Sequence, residues 1–499
     1  MNQLMKKLWI NVRSLPVIIG LIISGCASNT NVPAMDVAFS PAYQHNRNTL
    51  NTETTARVQW WQQFRDEQLT SLVNRTAVAN HDIRIAVERV NQARAGTTVS
   101  SARLFPSVNV MASGSDSRTG LPMVVKQSMP DTRALRAGVD VGWEVDLFGG
   151  NSAAARAAAS DAESAGYGVH GAQLITVSEV ARQYFIWHGA RERLKILESL
   201  LQTRRDTERL ARSRNREGMV SALDVAMAAG ETANMEASLP ALQTLMAVAE
   251  SRIAVLTGSN PSVPVPELHG MNEFHWIFPN HPPSGQPADL LRRRPDLLAA
   301  EERLSAASSR LAESKANRFP KIFLSALFGT QKLTLNDALS LSASPYSNVL
   351  GAFVLPLFNA GRVQAGIDIS SAREQEALLA YEQITLRAIE DVENSLVALS
   401  GEQQRLDALN VAVKEQEQAV EHANSLYREG EIDLLQLLEV QRAQLASKLA
   451  LAESKSQREV AYVQLYKALG GGWQALPDPA NFQTENVVPS ALNSTSGVK

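Results

Sequence analysis

The feature that most constrains this chain is a long internal duplication. Asp82, Glu88, Arg89 and Pro106 recur as Asp296, Glu302, Arg303 and Pro320, an offset of 214. Leu147-Phe148 recurs as Leu357-Phe358 at an offset of 210, while Arg216-Glu217-Gly218 and Gly258 recur as Arg428-Glu429-Gly430 and Gly470 at 212. A repeat of this length lies far outside the range of about 20–50 residues typical of solenoids. It predicts two similar halves related by a pseudo-axis.

The N-terminus reads as a processing segment. Lys6, Lys7 and Arg13 flank or precede an apolar run, Leu15–Ile23, that is too short to span a bilayer. Ile23-Ser24-Gly25-Cys26 then matches the bacterial lipobox, with small residues before a thiol that can accept a lipid. Cys26 is the single cysteine of the chain, so no intramolecular disulfide exists. Ala27, not an aspartate, follows it, which favours the outer over the inner membrane. Cleavage before Cys26 removes three basic groups and no acid, taking the formal charge from -3 to -6. An acidic chain lacks the basic face that nucleic acid needs. No later stretch reaches 18 consecutive apolar residues, so any further membrane crossing is expected to use strands.

Each half reads as helix, hairpin, very long helix, turn and helix. Residues 66–104 are helical in character up to Pro106. From Val139 to Leu147 the alternation is clean: Val139, Val141, Trp143, Val145 and Leu147 share one face, and Asp140, Gly142, Glu144 and Asp146 the other. In a membrane barrel the apolar side meets lipid and the acids meet a wet lumen. The partner strand is expected at 104–116, across a loop near Gly120–Arg133. A matching pair is expected at 319–331 and 347–358, where both faces carry Phe, Leu and Val. The spacing predicts long helices over 150–215 and 362–428, the latter with Ile389, Val392, Leu396, Leu399, Leu406, Leu409 and Val413 in a coiled-coil-like stripe. At 1.5 Å per residue each extends ~100 Å, about twice the helices expected at 220–256 and 432–469.

The boundaries read as a signal peptide at 1–25, a lipidated lead-in at 26–65, a first repeat at 66–258, a proline-rich connector at 259–289, a second repeat at 290–471 and a tail at 472–499. Four strands cannot close a barrel, for which about eight are the minimum. Open sheet edges in lipid would leave backbone N–H and C=O groups unpaired at several kcal/mol each. Other copies must close the edges, and three copies supply twelve strands around an aqueous channel.

At this point the residues resemble a known family, the TolC-like outer-membrane efflux lipoproteins. The shared pieces are the lipobox at Cys26, Trp60-Trp61-x-x-Phe64, the run Leu290-Leu291-Arg292-Arg293-Arg294-Pro295-Asp296 leading into Ala300-Glu301, and Arg318-Phe319-Pro320. Pro356-Leu357-Phe358 with Gly361-Arg362, Tyr427-Arg428-x-Gly430, and Leu469-Gly470-Gly471 complete the series in order along nearly the whole mature chain. The resemblance implies an α+β membrane protein: a homotrimer whose 12-stranded β-barrel, four strands per chain, continues into a long periplasmic α-helical barrel. It implies docking to a periplasmic adaptor and an inner-membrane pump, N-acyl and S-diacylglycerol groups on Cys26, and passive export of drugs, toxic compounds or metal ions.

Within that resemblance the second-repeat tip carries an apolar ring and an acidic ring, which fall on Leu435 and Glu439. A further acidic position of some members falls on Gln436, whose first-repeat counterpart is Asp224. Gly218 and Gly430, with Arg216 and Arg428 beside them, mark the tips expected to meet the adaptor. Asp140, Glu144 and Asp146 are candidates for the lumen, or ordinary wet-face residues. Arg292-Arg293-Arg294 reads as a solvated run before a helix capped near Asp296.

Two other classes compete. A periplasmic coiled-coil tether would explain Cys26 and the long helices but not the repeated hairpins. An envelope enzyme would need a constellation that is missing: no G-x-x-x-x-G-K-[ST], G-x-S-x-G or H-E-x-x-H occurs, and His269, His275 and His281 lack ligand spacing.

Overall fold

The structure is a computed structural model, and it describes residues 32–40, 42–45, 59–118, 120–126, 128–269, 278, 287–337 and 339–477. The lipobox, most of the connector and the end of the tail lie outside the described residues. Chain order is α1 (Glu67–Ala79), α2 (His81–Ala102), β1 (Ser107–Ser117), β2 (Thr132–Val145), α3 (Gly150–Arg216), α4 (Ala222–Leu256), α5 (Pro295–Ala316), β3 (Lys321–Leu335), β4 (Ser344–Val354), α6 (Arg362–Glu429) and α7 (Leu434–Ala468). Short helical turns and a two-residue strand at Leu339–Ser340 fill the connections.

The chain forms two compact units, each assembled from both halves of the sequence. One holds 90–165 and 300–381; the other holds 36–89, 166–299 and 382–477.

The first unit carries a single antiparallel sheet, in which β1 pairs with β2, β2 with β3, and β3 with β4. The two hairpins are therefore joined side by side. Among the described residues, β1 and β4 each have one strand partner. The register separates the two faces, because directly opposed residues of antiparallel strands point the same way. Val108, Val141 and Ala326 align with Val349, and Val110, Val139 and Phe328 align in the next row. Opposite them run Asn109, Asp140 and Asn348, then Ser113, Arg136, Gln331 and Ser344. Leu327, Phe323 and Leu350 share this second face, which is why β3 and β4 show no clean alternation in sequence. The apolar face is uncovered: Val110 is 86% exposed and Val349 73%. A soluble chain would bury such a face. Below the sheet, Arg310 pairs with Asp161, and Ser160 meets Ser305 at 3.0 Å, tying α3 to α5.

The second unit is built on aromatic packing. Trp60, Trp61 and Phe64 of the Trp-Trp-x-x-Phe turn are at most 1% exposed. Trp60 stacks on Tyr466 at 5.6 Å, and Phe64 lies 4.8 Å from Phe185 and 5.5 Å from Tyr462.

Several expectations need correction. Residues 66–104 are not one helix: α1 and α2 break at Asn80, whose side chain accepts from the backbone N–H groups of Asp82 and Ile83 and so caps α2. β2 starts at Thr132, inside the expected loop, because Arg133 and Arg136 obscure the alternation there without preventing strand pairing. Leu147 and Asp146 lie beyond β2. Arg294 is not solvated: its side chain is 11% exposed and holds Asp296, Asp391 and the carbonyl of Ala468. Burial weakens its charge, but the two carboxylates outweigh that and hold its pKa above the ordinary arginine value. Of the described helices, α4 is apolar and long enough in composition to cross a bilayer. It also carries Glu231 and Glu236 in ion pairs with neighbouring helices.

Candidate functional site: the paired helix tips

The two turns that join α3 to α4 and α6 to α7 have the same construction. Gly218 and Gly430 adopt φ of +72° and +82°, a region open to glycine at little cost. One residue further on, Met219 N–H donates to Arg214 O at 2.8 Å, and Glu431 N–H donates to Leu426 O at 2.9 Å. Both bonds satisfy terminal carbonyls in the manner of a Schellman motif.

Each following helix starts with a capping box, but its chemistry is reversed. Ser221 caps α4, and Asp224 Oδ2 accepts from both the N–H and hydroxyl of Ser221 at 2.8 Å. Asp433 caps α7, accepting from Gln436 N–H at 2.8 Å while Gln436 Oε1 accepts from Asp433 N–H at 3.3 Å. The acid thus sits at the third helical position in one tip and at the cap in the other. Asp433 shows in the sequence only through the repeat, where S-x-x-D and D-x-x-Q occupy equivalent positions.

Behind the turns, Ala211, Ala228, Ala423, Tyr427, Leu434, Leu437 and Leu438 form one buried cluster drawn from all four helices. This packing fixes which face of α7 stays outside. Leu435 is 44% exposed, and Glu439, one turn on, is exposed on the same side. Leu223, the repeat counterpart of Leu435, is 67% exposed. Arg216, Gly218, Arg428 and Gly430 are all exposed. The Arg214 guanidinium lies 4.9 Å from the centre of the Tyr427 ring. Arg442 donates to Glu231 at 2.6 Å, joining α7 to α4, and this hydrogen bond raises the arginine's pKa.

The strand acids do not form one group. Asp140 stands opposite Leu327 and Asn109 on the more polar face of the sheet. Glu144 pairs with Lys321 at 3.0 Å. Asp146 accepts from the N–H groups of Asn151 and Ser152 at 3.0 and 2.7 Å, so its carboxylate caps α3. Among the described residues, no group of three or more His, Cys, Asp or Glu side chains is placed to hold a metal ion.

Likeness to known proteins runs along most of the chain. The family model described as "Outer membrane efflux protein" matches residues 72–259 and 287–471. The chain is 29% identical over 472 residues to the pyoverdine export outer membrane protein OpmQ of Pseudomonas aeruginosa, covering 93% of this chain and 98% of the relative. It is 28% identical over 465 residues to the cation efflux system protein CusC of Escherichia coli, covering 92% and 98%. The solved outer-membrane channel OprN superposes with a TM-score of 0.81 at 29% identity, over 89% of this chain and 100% of that one. The chain belongs to the outer membrane efflux protein family. It is an outer-membrane channel component of an efflux system.

Proposed function

We propose that three copies assemble into a passive exit duct, with twelve strands closed into a barrel and the helices into a periplasmic cylinder. The observation that carries this reading is the sheet of the first unit. It has four long strands, two edges with no strand partner among the described residues, and an exposed apolar face. In lipid those edges require pairing, and identical copies provide it without a new surface. A bare periplasmic tether leaves that face unexplained.

In this assembly Asp140 and Glu144 face the lumen, and Asp146, which caps α3, sits at its base. Cys26 carries the N-acyl and S-diacylglycerol anchor. The paired tips, with Gly218, Gly430, Arg216 and Arg428, meet a periplasmic adaptor that delivers solute from an inner-membrane pump. Three copies of Leu435 and Glu439 line the narrowest point, an apolar ring beside an acidic ring. Asp224, held by its capping box, contributes charge near that point. The duct needs no catalysis, because energy enters at the pump. Relatives named for pyoverdine export and for cation efflux stand at nearly equal identity, which supports selection of the solute upstream.

The reading is tested on an outer-membrane fraction. An unheated sample is expected to migrate as a trimer that collapses to a single chain on boiling, and crosslinking in cells is expected to capture adaptor and pump components. Migration as a monomer under both conditions, with no crosslinked partners, would support the tether instead.

A further inference from the structure

The apolar face of the sheet ends on a diagonal of bases. Along β2 the side chains on this face are Val145, Trp143, Val141, Val139, Ala137 and Leu135, and the next is Arg133. Beside them β1 carries Val108, Val110, Ala112 and Gly114 before Asp116, and β3 carries Ile322, Leu324, Ala326, Phe328 and Thr330 before Lys332. From Val145 to Leu135 the strand covers ~34 Å, at about 3.4 Å per residue. A tilt of about 40° leaves ~26 Å, which matches the ~25 Å apolar band of a membrane barrel. Arg133 therefore stands at headgroup level. The strands join the helices at the opposite end, through Ser107, Val145, Lys321 and Val354. In the assembly proposed above, the Arg133 level is thus the outer leaflet.

Arg133 belongs to a charged network. Its Nη2 lies 3.1 Å from Asp116 and 3.6 Å from Asp337, and Arg118 reaches the same two acids at 3.3 and 3.7 Å. The two arginine side chains are nonetheless 51% and 64% exposed. Arg133 meets both acids through one nitrogen, and a guanidinium has five N–H donors. Lys332 lies one row below, opposite Leu135 and diagonal to Arg133, a spacing of ~7–8 Å that long side chains bridge. It is exposed and forms no ion pair among the described residues. A lysine at the rim of an apolar band turns its ammonium toward the headgroups. Arg118, Arg133 and Lys332 so descend across three neighbouring strands. With two acids among three bases, the cluster keeps an excess positive charge.

Beneath the diagonal the apolar face is hollow. A groove of about 450 Å³ runs between two of its rows, bordered by Ala112, Gly114, Ala137, Thr330, Leu135 and Lys332. Most of these side chains are short or missing, while Val110, Val139 and Phe328 stand out in the next row toward the helices.

We propose that this face binds a phosphorylated glycolipid of the outer leaflet, with its phosphate on the Arg118–Arg133–Lys332 diagonal and an acyl chain in the groove. Guanidinium forks match phosphate oxygens, and lysine adds a point charge. Basic clusters at headgroup level attract anionic lipid. Asp116 and Asp337 hold the two arginines side by side. A zwitterionic phospholipid brings its own ammonium, which cancels the excess charge the cluster offers, and free phosphate has nothing to fill the groove. The proposal rests on the three-copy barrel and adds a lipid site on the outside of each copy, away from the duct.

The test uses the full-length lipoprotein, purified as a trimer in detergent. The temperature at which the unboiled trimer band dissociates is followed as diphosphorylated lipid A is added. A ligand that binds the folded state raises this temperature, so wild type is expected to show a saturable rise. Phosphatidylethanolamine, inorganic phosphate and dephosphorylated lipid A are expected to give none. Lys332→Gln breaks no ion pair and is expected to form the trimer normally. It should need about tenfold more lipid A for half the rise, as the loss of a charge-assisted hydrogen bond implies. Lys332→Arg should restore the response, and Lys332→Gln with Arg133→Gln should abolish it. No rise in a wild-type trimer, the same midpoint in wild type and Lys332→Gln, or an equal rise with any of the three control compounds overturns the proposal and leaves the assembly standing. A wild-type chain that never forms the trimer overturns the assembly itself.

Discussion

Tyr184 donates its hydroxyl to Asp66 Oδ2 at 2.5 Å, in a site where both residues are buried. The other oxygen of Asp66 accepts from Gln68 and Leu69 N–H at 2.9 and 3.0 Å, capping α1. One carboxylate therefore fixes a helix start and binds it to the middle of α3. Burial, then the adjacent carboxylate, pushes the Tyr184 hydroxyl far above its ordinary pKa, so this bond is present throughout the physiological range.

Removing that hydroxyl leaves part of a buried carboxylate without its donor. Tyr184→Phe is expected to destabilise the folded chain by about 1.5–3 kcal/mol, the range for hydrogen bonds to charged groups. Asp66→Ala, which also removes the cap, is expected to cost more. Thermal dissociation of the purified protein, followed by circular dichroism, measures both.

The segment at 36–45 is expected to loosen in acid. Asp36 N–H donates to Glu382 at 3.1 Å, and Gln44 N–H donates to Glu393 at 2.6 Å. Burial disfavours the charged form of Glu393, but the Gln44 and His45 hydrogen bonds outweigh it and hold its carboxyl below the ordinary carboxylate value. A depressed pKa stabilises the fold above the unfolded carboxylate value, roughly 4.3, and that contribution is lost as pH falls through the folded value. Limited proteolysis within 36–45 should be slow at neutral pH and accelerate in acid. Glu393→Gln should make it fast at both.

Cys26→Ser is expected to abolish lipid labelling while leaving trimer formation largely intact, because strand pairing and not the acyl chain satisfies the sheet edges. Collapse of the trimer on blue-native gels would show that the anchor is structurally required.

Much of this architecture was legible in the sequence. The long helices expected at 150–215 and 362–428 run Gly150–Arg216 and Arg362–Glu429, because the positive-φ glycines Gly149, Gly218, Gly361 and Gly430 punctuate their ends. The clean alternation at Val139–Val145 marks the C-terminal half of β2 and its more polar side, and the positive-φ turns at Gly218 and Gly430 stand out through their repetition. Most of what was hidden depended on partners distant in sequence. Arg294 looked solvated because Asp391 and the Ala468 carbonyl are far along the chain. The faces of β3 become clear only through its register with β2 and β4. Asp146 fell into the strand pattern by spacing, yet serves α3 as a cap.

The second tip should tolerate small changes and fail with backbone ones. Gly430→Pro fixes φ near −65°, where the turn needs +82°. Export is expected to fall while outer-membrane abundance stays near normal, measured by drug susceptibility alongside immunoblotting. Wild-type resistance at normal abundance would contradict the assignment of the tip.

Single-channel recording in planar bilayers tests the account most directly. The purified protein is expected to give discrete current steps with no nucleotide or partner present. If three copies of Leu435 and Glu439 form the constriction, a packed apolar ring resists wetting and three acids draw cations. Leu435→Ser should then enlarge the step, and Glu439→Gln should lower cation preference and blunt block by divalent or trivalent cations from the periplasmic side. Absence of any step from both wild type and Leu435→Ser would contradict the duct. Steps identical in size, selectivity and cation block across all three proteins would place the constriction elsewhere, with Asp224 the next position to change.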